Sequence, residues 1–306
     1  MRRVDPSHPF FTAPVLVLVI SVFMIFVQFA HLDTDSESAI YGVMILLQIV
    51  VLAIPAGAFC YLKGGGYLAR MDIYAPRKRS LPVILFGSAT VILTSAVIKF
   101  GIFNLVYDYS LYGSSIDIDV GSVEAGFLMV LSLAIFPAVT EEFVFRGIVL
   151  REYKKCGSVF SIIISALLFA FIHFDIVQFP IYFALGMLLA WMSFITKSVW
   201  TCVIVHTVYN LYAIFVEKYV WMFSTNPDSR ILFWLILTVI WFVCGFFFIG
   251  AAEKVMRYCS DNGDSAPKQM KKGERRLNIF EAVTDKPFLI DAAIFGVIGL
   301  INLIAG

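Results

Sequence analysis

The chain has 306 residues, of which 60% are hydrophobic and only 15% are charged. This composition lies far from that of a soluble domain and is typical of a protein whose solvent is the lipid bilayer. The formal net charge is +1, so the overall charge favours neither nucleic acid nor a highly charged partner. We therefore expect membrane lipid, and no nucleic acid, among the partners.

Apolar runs long enough to cross about 30 Å of hydrocarbon recur along the whole sequence. They predict an all-α, polytopic transmembrane helix bundle with eight or nine membrane segments. The runs lie near residues 11–30, 39–62, 81–100, 123–150, 158–174, 179–196, 198–216, 231–251 and 288–305. The first is too long for a signal-peptide core and has no cleavage pattern, so we expect it to remain as a span. The last contains Asp291 and Asn302, and it either crosses the membrane or lies as a surface or re-entrant helix.

Lysine and arginine in the short loops indicate the orientation. Basic residues precede the first run and follow the second, fourth, sixth and eighth runs, whereas the loops 31–38 and 108–119 contain acids and no bases. We therefore predict a cytoplasmic amino terminus, which rests in part on Arg2 and Arg3. Two basic loops, Lys63–Ser80 and Glu253–Lys286, are interpreted as solvated cytoplasmic connectors attracted to anionic lipid.

Ionisable residues inside apolar runs are functional candidates, because a charge at the centre of a spanning helix costs about 2.5 to 3.5 kcal/mol on insertion scales. Three polar clusters lie inside such runs: Thr140-Glu141-Glu142-Phe143-Val144-Phe145-Arg146-Gly147, Phe169-Ala170-Phe171-Ile172-His173 and His206-Thr207-Val208-Tyr209-Asn210. A single intramembrane histidine is often only a polar contact between helices. Two glutamates, two histidines, an arginine and an asparagine make that interpretation the weaker one.

Helical spacing separates the roles within the first cluster. Glu142 and Arg146 are four residues apart on one helix face, so they can form an ion pair. Glu141 lies about 100° around the helix and lacks that partner. An unpaired carboxylate in an apolar site suits proton transfer, so we predict Glu141 as a general base. Pro137, one turn earlier, either opens the helix beside this site or is an ordinary membrane-helix kink.

The two histidine clusters place further groups at similar depth. His206 and Asn210 share a helix face and could jointly donate hydrogen bonds to an oxyanion. Glu141 and His206 both lie roughly 12 to 15 Å from the predicted cytoplasmic edge at the helical rise. His173 lies deeper by the same count. One explanation is that the fifth run starts lower, with Ser158 outside the hydrocarbon. The other is that the hairpin of the fifth and sixth runs does not cross the membrane fully, and Asp175 and Gln178 then line a water-filled cavity.

These residues resemble the CAAX protease and bacteriocin-processing family of membrane peptidases, also called CPBP or ABI, which includes the type II CAAX prenyl endopeptidases. The family pattern is Glu-Glu-x-x-x-Arg, Phe-x-x-x-His and His-x-x-x-Asn on successive helices. This sequence matches it with three motifs over about residues 120–215: Glu141, Glu142 and Arg146, then Phe169 and His173, then His206 and Asn210.

The resemblance implies a helical core whose intramembrane cavity opens to the cytoplasm, in a prokaryotic plasma membrane. It implies that Glu141, helped by His173, activates water that attacks a peptide carbonyl, while His206 and Asn210 stabilise the oxyanion. Phe169 is assigned to substrate binding, and the substrate is expected to be a peptide or a lipidated protein tail. Which of prenylated tails, pheromones, bacteriocin leaders or bacteriocin immunity applies stays open.

Metal dependence also stays open. We expect no cofactor, with a zinc site formed by Glu141, His173 and His206 as the alternative. No two histidines lie four apart on one helix, so such a site would need three helices. The cysteines show no metal-type spacing and are interpreted as packing residues: Cys60, Cys156, Cys202, Cys244 and Cys259.

Two rival functions remain at this point. A proton-coupled transporter would also bury ionisable residues, although no second half with matching broken helices is evident. A non-catalytic binding or immunity protein is the other reading. We divide the chain into amino-terminal helices with a basic loop (1–119), a catalytic helical core (120–216), and a carboxy-terminal part with a second basic loop (217–306).

Overall fold

The computed structural model describes residues 9–29, 36–106, 123–225, 228, 230–261 and 272–305. Helices dominate this part of the chain, and no β-strand occurs in it. The α-helices are α1 (Pro9–Phe29), α2 (Glu37–Gln48), α3 (Ile54–Leu62), α4 (Leu81–Val106), α5 (Val123–Val130), α6 (Phe136–Glu142), α7 (Leu150–Glu152), α8 (Ser158–Phe171), α9 (Phe179–Thr196), α10 (Val199–Phe215), α11 (Glu217–Thr225), α12 (Arg230–Asp261), α13 (Lys272–Thr284) and α14 (Lys286–Ala305). The predicted all-α class is confirmed.

Six helical segments in the described ranges are long and apolar enough to cross a membrane: Ser38–Leu62, Lys78–Gly101, Val123–Glu152, Phe179–Thr196, Arg230–Asp261 and Lys286–Ile304. A seventh is present if α10 and the helix after it, which are bent by 57°, form one span. The protein is thus a multi-pass membrane protein. Eight or nine segments were expected; two further apolar helical stretches in the described ranges, Thr12–Gln28 and Ser158–Phe171, have 10 to 17 residues and are not among these spans.

The length of α8 bears on the depth of His173. This helix has 14 residues and is about 21 Å long at the helical rise, too short to cross about 30 Å of hydrocarbon. His173 follows its last turn, so the hairpin of α8 and α9 does not cross fully on the α8 side. Asp175 and Gln178 are half-buried and bond to each other: the Gln178 backbone amide and its Nε2 donate to the Asp175 carboxylate at 2.9 and 3.0 Å. That they line a watery cavity stays a prediction.

Residues that carry part of the orientation argument lie outside the described ranges. They include Arg2, Arg3 and the acidic segments 31–35 and 108–119. The cytoplasmic amino terminus and the three-part division of the chain therefore stay predictions. The last apolar run forms α14, which qualifies as a span by length and composition and packs along α1.

The centre of the bundle is the α8–α9 hairpin, packed against α10, which in turn packs against α6. α4 covers α9 and α10, and α12 lies on α4. Gly186 in α9 allows the hairpin to close, because a Cβ there would lie 3.0 Å from the Ala166 Cα and 3.3 Å from the Ala166 carbonyl oxygen. A side chain at this position would require the Ala166 backbone to move by a few tenths of an ångström.

The basic segment Lys63–Ser80 is largely exposed, in agreement with its interpretation as a connector, but it is also anchored to the packed structure at a few points. Lys63 Nζ lies 2.9 Å from the Glu152 carboxylate, and Met71 is buried. The Val199 amide, in the first turn of α10, donates to the Asp72 carbonyl at 2.8 Å. Since the first amides of a helix have no intrahelical partner, this segment holds the start of α10, the helix that carries His206 and Asn210.

Replacing Gly186 with alanine should destabilise the protein by about 1 to 3 kcal/mol, because the added Cβ meets backbone atoms of Ala166 that cannot move independently. Thermal unfolding in detergent measures the effect. The matched control is Gly245→Ala in α12, where an added Cβ would meet no atom within 4 Å and the midpoint should be unchanged or higher. Equal midpoints for the two variants would contradict the close approach of α8 and α9.

Candidate active site

The three motifs meet around the ring of Phe169. Its centroid lies 4.9 Å from that of His173 and 5.9 Å from that of His206. The Arg146 guanidinium carbon lies 4.6 Å above the same ring, a cation–π contact. Residues separated by up to 60 positions in the sequence are thus brought together by α6, α8 and α10.

Glu142 is the centre of a buried charge network. Its side chain is fully buried, and its Oε1 lies 2.8 Å from Arg146 Nη1 and 2.8 Å from His206 Nδ1. The ion pair expected from the four-residue spacing is present, and His206 extends it to a second helix. Arg146 Nη2 also donates to the Gly186 carbonyl oxygen at 3.1 Å, so the network reaches α9.

Glu141 stands apart from this network. It is only 8% exposed, yet it accepts no hydrogen bond from any described residue, and its Oε2 is fully buried. The nearest charged partner is His206, whose Nε2 lies 4.0 Å from that oxygen. A buried carboxylate without a partner is costly, which is why such groups occur mainly where a site uses them.

His173 is held by its backbone neighbours and by two rings. Its Nδ1 lies 2.9 Å from the Phe169 carbonyl oxygen. Because a carbonyl can only accept, Nδ1 carries the proton and Nε2 of the neutral ring has a free lone pair. The Tyr182 ring stacks on the imidazole, with centroids 3.9 Å apart and planes at 22°. The next residue, Phe174, has φ +50°, a left-handed conformation that costs a non-glycine residue roughly 1 to 2 kcal/mol.

Asn210 and Phe169 both have partners within the protein. Asn210 Nδ2 donates to the Ala134 carbonyl oxygen at 3.2 Å, so one of its two amide hydrogens is already engaged. Phe169 is fully buried, and its ring contacts Arg146 and the two histidines. The roles assigned to both residues from the sequence stay predictions.

The helix that carries Glu141 is irregular on both sides. The π-helical stretches Leu131–Ile135 and Phe143–Val149 flank α6, with Pro137 in its first turn. A π-turn leaves backbone carbonyls displaced from the α pattern, and the Ala134 carbonyl is the one that Asn210 uses. Of the two readings of Pro137, this local opening beside the site is the one that the structure favours.

Several residues of the site escape the sequence motifs. Tyr182 and Gly186 lie on α9, and Gln48 Oε1, on α2, accepts from Thr140 Oγ1 at 3.2 Å. Tyrosine and glycine are common in membrane helices, so the residue type alone did not identify Tyr182 or Gly186 as part of the site. Gln48 is a polar residue in an apolar run, and that signal was available.

Two apolar grooves lie beside the site, one on each side of the Gln48–Thr140 contact. The larger has a volume of about 670 Å³ and is lined by α3, the Gly64–Gly66 turn, Thr140 and Phe143. The smaller, of about 520 Å³, is lined by α1, α2 and the stretch that ends at Pro137. The larger groove lies on the side of the basic Lys63–Ser80 segment. Its lining includes Thr140 and Phe143, the residues directly before and after the Glu141–Glu142 pair.

The proposed zinc ligands do not form a metal-binding group in this structure. Among the described residues, no three histidine, cysteine, aspartate or glutamate side chains are grouped so that they could hold a metal ion. The five cysteines form no disulfide, and Cys202 Sγ contacts the Leu189 carbonyl oxygen at 3.0 Å, as expected for a packing residue.

The fold and the site together define a multi-pass membrane protein with a buried glutamate–arginine–histidine network and one unpaired carboxylate beside it. Comparison with known proteins agrees with the motifs. Residues 123–212 match the family model "Type II CAAX prenyl endopeptidase Rce1-like". This range contains all seven motif residues, so the resemblance to the CAAX protease family is confirmed over this part of the chain.

One curated relative extends the comparison. The chain is 27% identical over 96 residues to a protein of Bacillus subtilis (strain 168) named "Putative membrane peptidase YdiL". The aligned stretch is 31% of this chain and 39% of the relative, so it covers well under half of either protein. No solved structure matches.

The buried ion pair makes a stability prediction. Replacing Arg146 with methionine should destabilise the protein by about 3 to 5 kcal/mol, because Glu142 is left as an uncompensated charge in the bilayer. Adding Glu142→Gln to this variant should recover part of the loss. Denaturation followed by tryptophan fluorescence in detergent measures both.

The control for these variants is Glu141→Gln, which replaces the neighbouring carboxylate with the same amide as Glu142→Gln does. Since Glu141 has no hydrogen-bonded partner among the described residues and a buried carboxylate without one is costly, its replacement should leave the unfolding midpoint unchanged or raise it. If the Glu141→Gln variant is as unstable as Arg146→Met, the conclusion that Glu142 is paired and Glu141 is not would be contradicted.

Proposed function

We propose that this protein is an intramembrane endopeptidase that hydrolyses a peptide bond in a membrane-associated, lipidated or apolar peptide. The family model and the relative's name support a membrane protease in general. The observation that carries the proposal is the state of Glu141: a buried carboxylate with no hydrogen-bond donor, 4.0 Å from the Nε2 of His206.

Glu141 and His173 would activate the attacking water. The free lone pair of His173 Nε2 can accept one hydrogen of a water molecule, since Nδ1 donates to the Phe169 carbonyl. Glu141 takes the other proton as the water oxygen attacks the peptide carbonyl carbon. When the tetrahedral intermediate collapses, Glu141 returns that proton to the leaving amine, and the carboxylate is regenerated.

His206 would stabilise the oxyanion of this intermediate. Its Nδ1 donates to Glu142, so Nε2 is the ring atom that faces the site, and in the doubly protonated ring it donates a hydrogen bond. The negative charge of Glu142 lies directly behind that ring and balances the positive charge. Asn210 can add its second amide hydrogen, because only one is used by Ala134.

Arg146, Glu142 and Phe169 would act as the support of the site. Glu142 orients His206, and Arg146 pairs with Glu142 and ties it to α9 through the Gly186 carbonyl. Such preorganised dipoles and charges are worth most where water is excluded. Phe169 is a positioning residue in this account, because it contacts both histidines and is fully buried.

The larger apolar groove is the proposed route for the substrate. It passes Thr140 and Phe143, which flank the two glutamates, and it begins at the Gly64–Gly66 turn on the predicted cytoplasmic side. A groove of about 670 Å³ with apolar walls suits an extended apolar peptide or a lipid-modified tail. Glu141 is buried beneath it, so the substrate must displace side chains between the groove and the carboxylate.

Zinc chemistry at Glu141, His173 and His206 is the alternative mechanism. In both histidines Nδ1 is engaged by an oxygen and Nε2 is free, an arrangement common among zinc-ligating histidines. The three side chains are not grouped as a ligand set in the described part of the chain, so no step is derived through a metal.

The Glu141→Gln variant tests the proposed function. Wild-type protein in detergent should cleave members of a quenched fluorescent peptide library, and the variant should be slower by about 10² to 10⁴-fold because it lacks the general base. The variant should unfold at the same temperature as the wild type or at a higher one. Repeating the assay with a chelator separates the mechanisms: unchanged activity supports the glutamate mechanism, and loss restored by zinc supports the metal alternative.

Two results would contradict the peptidase. Equal cleavage by wild type and Glu141→Gln would remove Glu141 from the chemistry. Absence of cleavage of apolar, lipidated and membrane-embedded peptides by folded wild-type protein would favour the binding or transport reading instead.

Tyr182 provides a second prediction for the same assay. Its ring stacks on His173, so Tyr182→Leu should lower kcat about tenfold by releasing the imidazole, with KM little changed. Tyr182→Phe keeps the ring and should retain most of the activity. If the phenylalanine variant loses as much as the leucine variant, the hydroxyl and not the stacking is what the site needs.

A further inference from the structure

The carboxy-terminal helix α14 lies outside the segment that matches the family model, yet it contacts the turn that carries His173. Asn302 Nδ2 donates to the Phe174 carbonyl oxygen at 3.1 Å. Phe174 directly follows His173 and adopts the left-handed conformation with φ +50°. The only side-chain donor to this strained peptide in the described chain therefore comes from the far end of the sequence.

Asn302 also bonds to a second helix. An asparagine amide can rotate by half a turn, which exchanges its donor and acceptor. Because the Phe174 carbonyl can only accept, it fixes the Asn302 nitrogen on its side. The Asn302 Oδ1 then accepts from Gln28 Nε2, on α1, at 2.7 Å. The two terminal helices thus act as a pair.

Packing around this hydrogen bond is close. A Cβ on Gly299 would lie 2.8 Å from Ile176 Cγ1 and 3.4 Å from the Phe174 carbonyl oxygen, so α14 lies directly against the turn. One turn before Gly299 in α14, Phe295 stacks on Phe171, with ring centroids 5.1 Å apart. Phe171 precedes His173 by two residues, so α14 contacts the chain on both sides of the histidine.

We infer that α14, through Asn302 and Gly299 and with Gln28 of α1, positions His173 for catalysis by holding the α8–α9 turn. This inference rests on the proposed function for the role of His173. The strained Phe174 peptide would relax if its carbonyl lost Asn302, because nothing else among the described side chains bonds to it. Rotation of that peptide would shift His173 relative to Glu141.

The first test measures the turn itself and needs no substrate. Amide hydrogen exchange of residues 172–178 should be about tenfold faster in Asn302→Leu and in Gly299→Leu than in wild type, since both changes push or release the turn. Gly296→Leu is the matched control: it lies on the same helix, and an added Cβ there meets no atom within 4 Å. Unchanged exchange in both test variants would overturn the contact.

The second test connects the turn to catalysis, with a peptide that wild type cleaves. Asn302→Leu should lower kcat about ten- to hundredfold with KM and melting temperature little changed, since misplacement by about 1 Å can have that effect. In a His173→Ala background the same substitution should have no further effect, because it acts through His173. A full additional loss in that background would show a general structural role and overturn the inference.

These two tests separate this inference from the proposed function. If wild type cleaves no peptide, the peptidase proposal fails, and the exchange measurement still supports or overturns the contact of α14 with the turn. If wild type cleaves and the exchange rises while kcat stays unchanged, the peptidase stands and the positioning role of Asn302 is overturned.

Discussion

The buried ion pair of Glu142 with Arg146 is the interaction on which the rest of the site depends. Moving two charges from water into an apolar medium is costly unless each is hydrogen-bonded and paired. Here the carboxylate accepts from Arg146 and His206, and the guanidinium also reaches the Gly186 carbonyl and the Phe169 ring. One network thereby links α6, α8, α9 and α10, and it leaves the adjacent Glu141 without a partner.

Because Glu142 is paired and Glu141 is not, the two neighbouring glutamates can have different functions. Glu142 bonds to Arg146 and His206, so it is fixed in position. Glu141 has no donor among the described residues and faces the Nε2 of His206 across 4.0 Å. At this separation one reacting atom can bond to both groups only from the side, because two hydrogen bonds of about 2.8 Å in line would span roughly 5.6 Å. A site that kept both carboxylates paired would have no group ready to accept a proton.

The sequence predicted the parts that follow from short-range geometry. The long apolar runs gave the all-α class, and the four-residue spacing of Glu142 and Arg146 gave their ion pair. The convergence of Phe169, His173 and His206 followed from the motif resemblance, since spacing within a helix says nothing about which helices meet. The length of α8 was overestimated, because hydropathy does not show that the helix ends at Phe171, before the turn.

What the sequence could not show depends on contacts between distant segments. Asp72 and Asn302 are polar residues whose partners, Val199 and Phe174, lie more than 120 positions away. Their bonds are made to backbone atoms, which leave no residue-type signal. Phe169 was assigned to substrate binding because an aromatic residue in a motif can serve either purpose. Its complete burial between Arg146 and the histidines, which only the structure shows, favours a supporting role.

The most direct test of this account is an experimental structure of the Glu141→Gln protein with a peptide that the wild type cleaves. We expect the scissile carbonyl carbon to lie between residue 141 and His173, and its oxygen to lie within hydrogen-bonding distance of His206 Nε2. The Glu142–Arg146 pair should be unchanged. A peptide bound in either groove with its scissile bond remote from residue 141, or a metal ion at the carbonyl oxygen, would contradict the account.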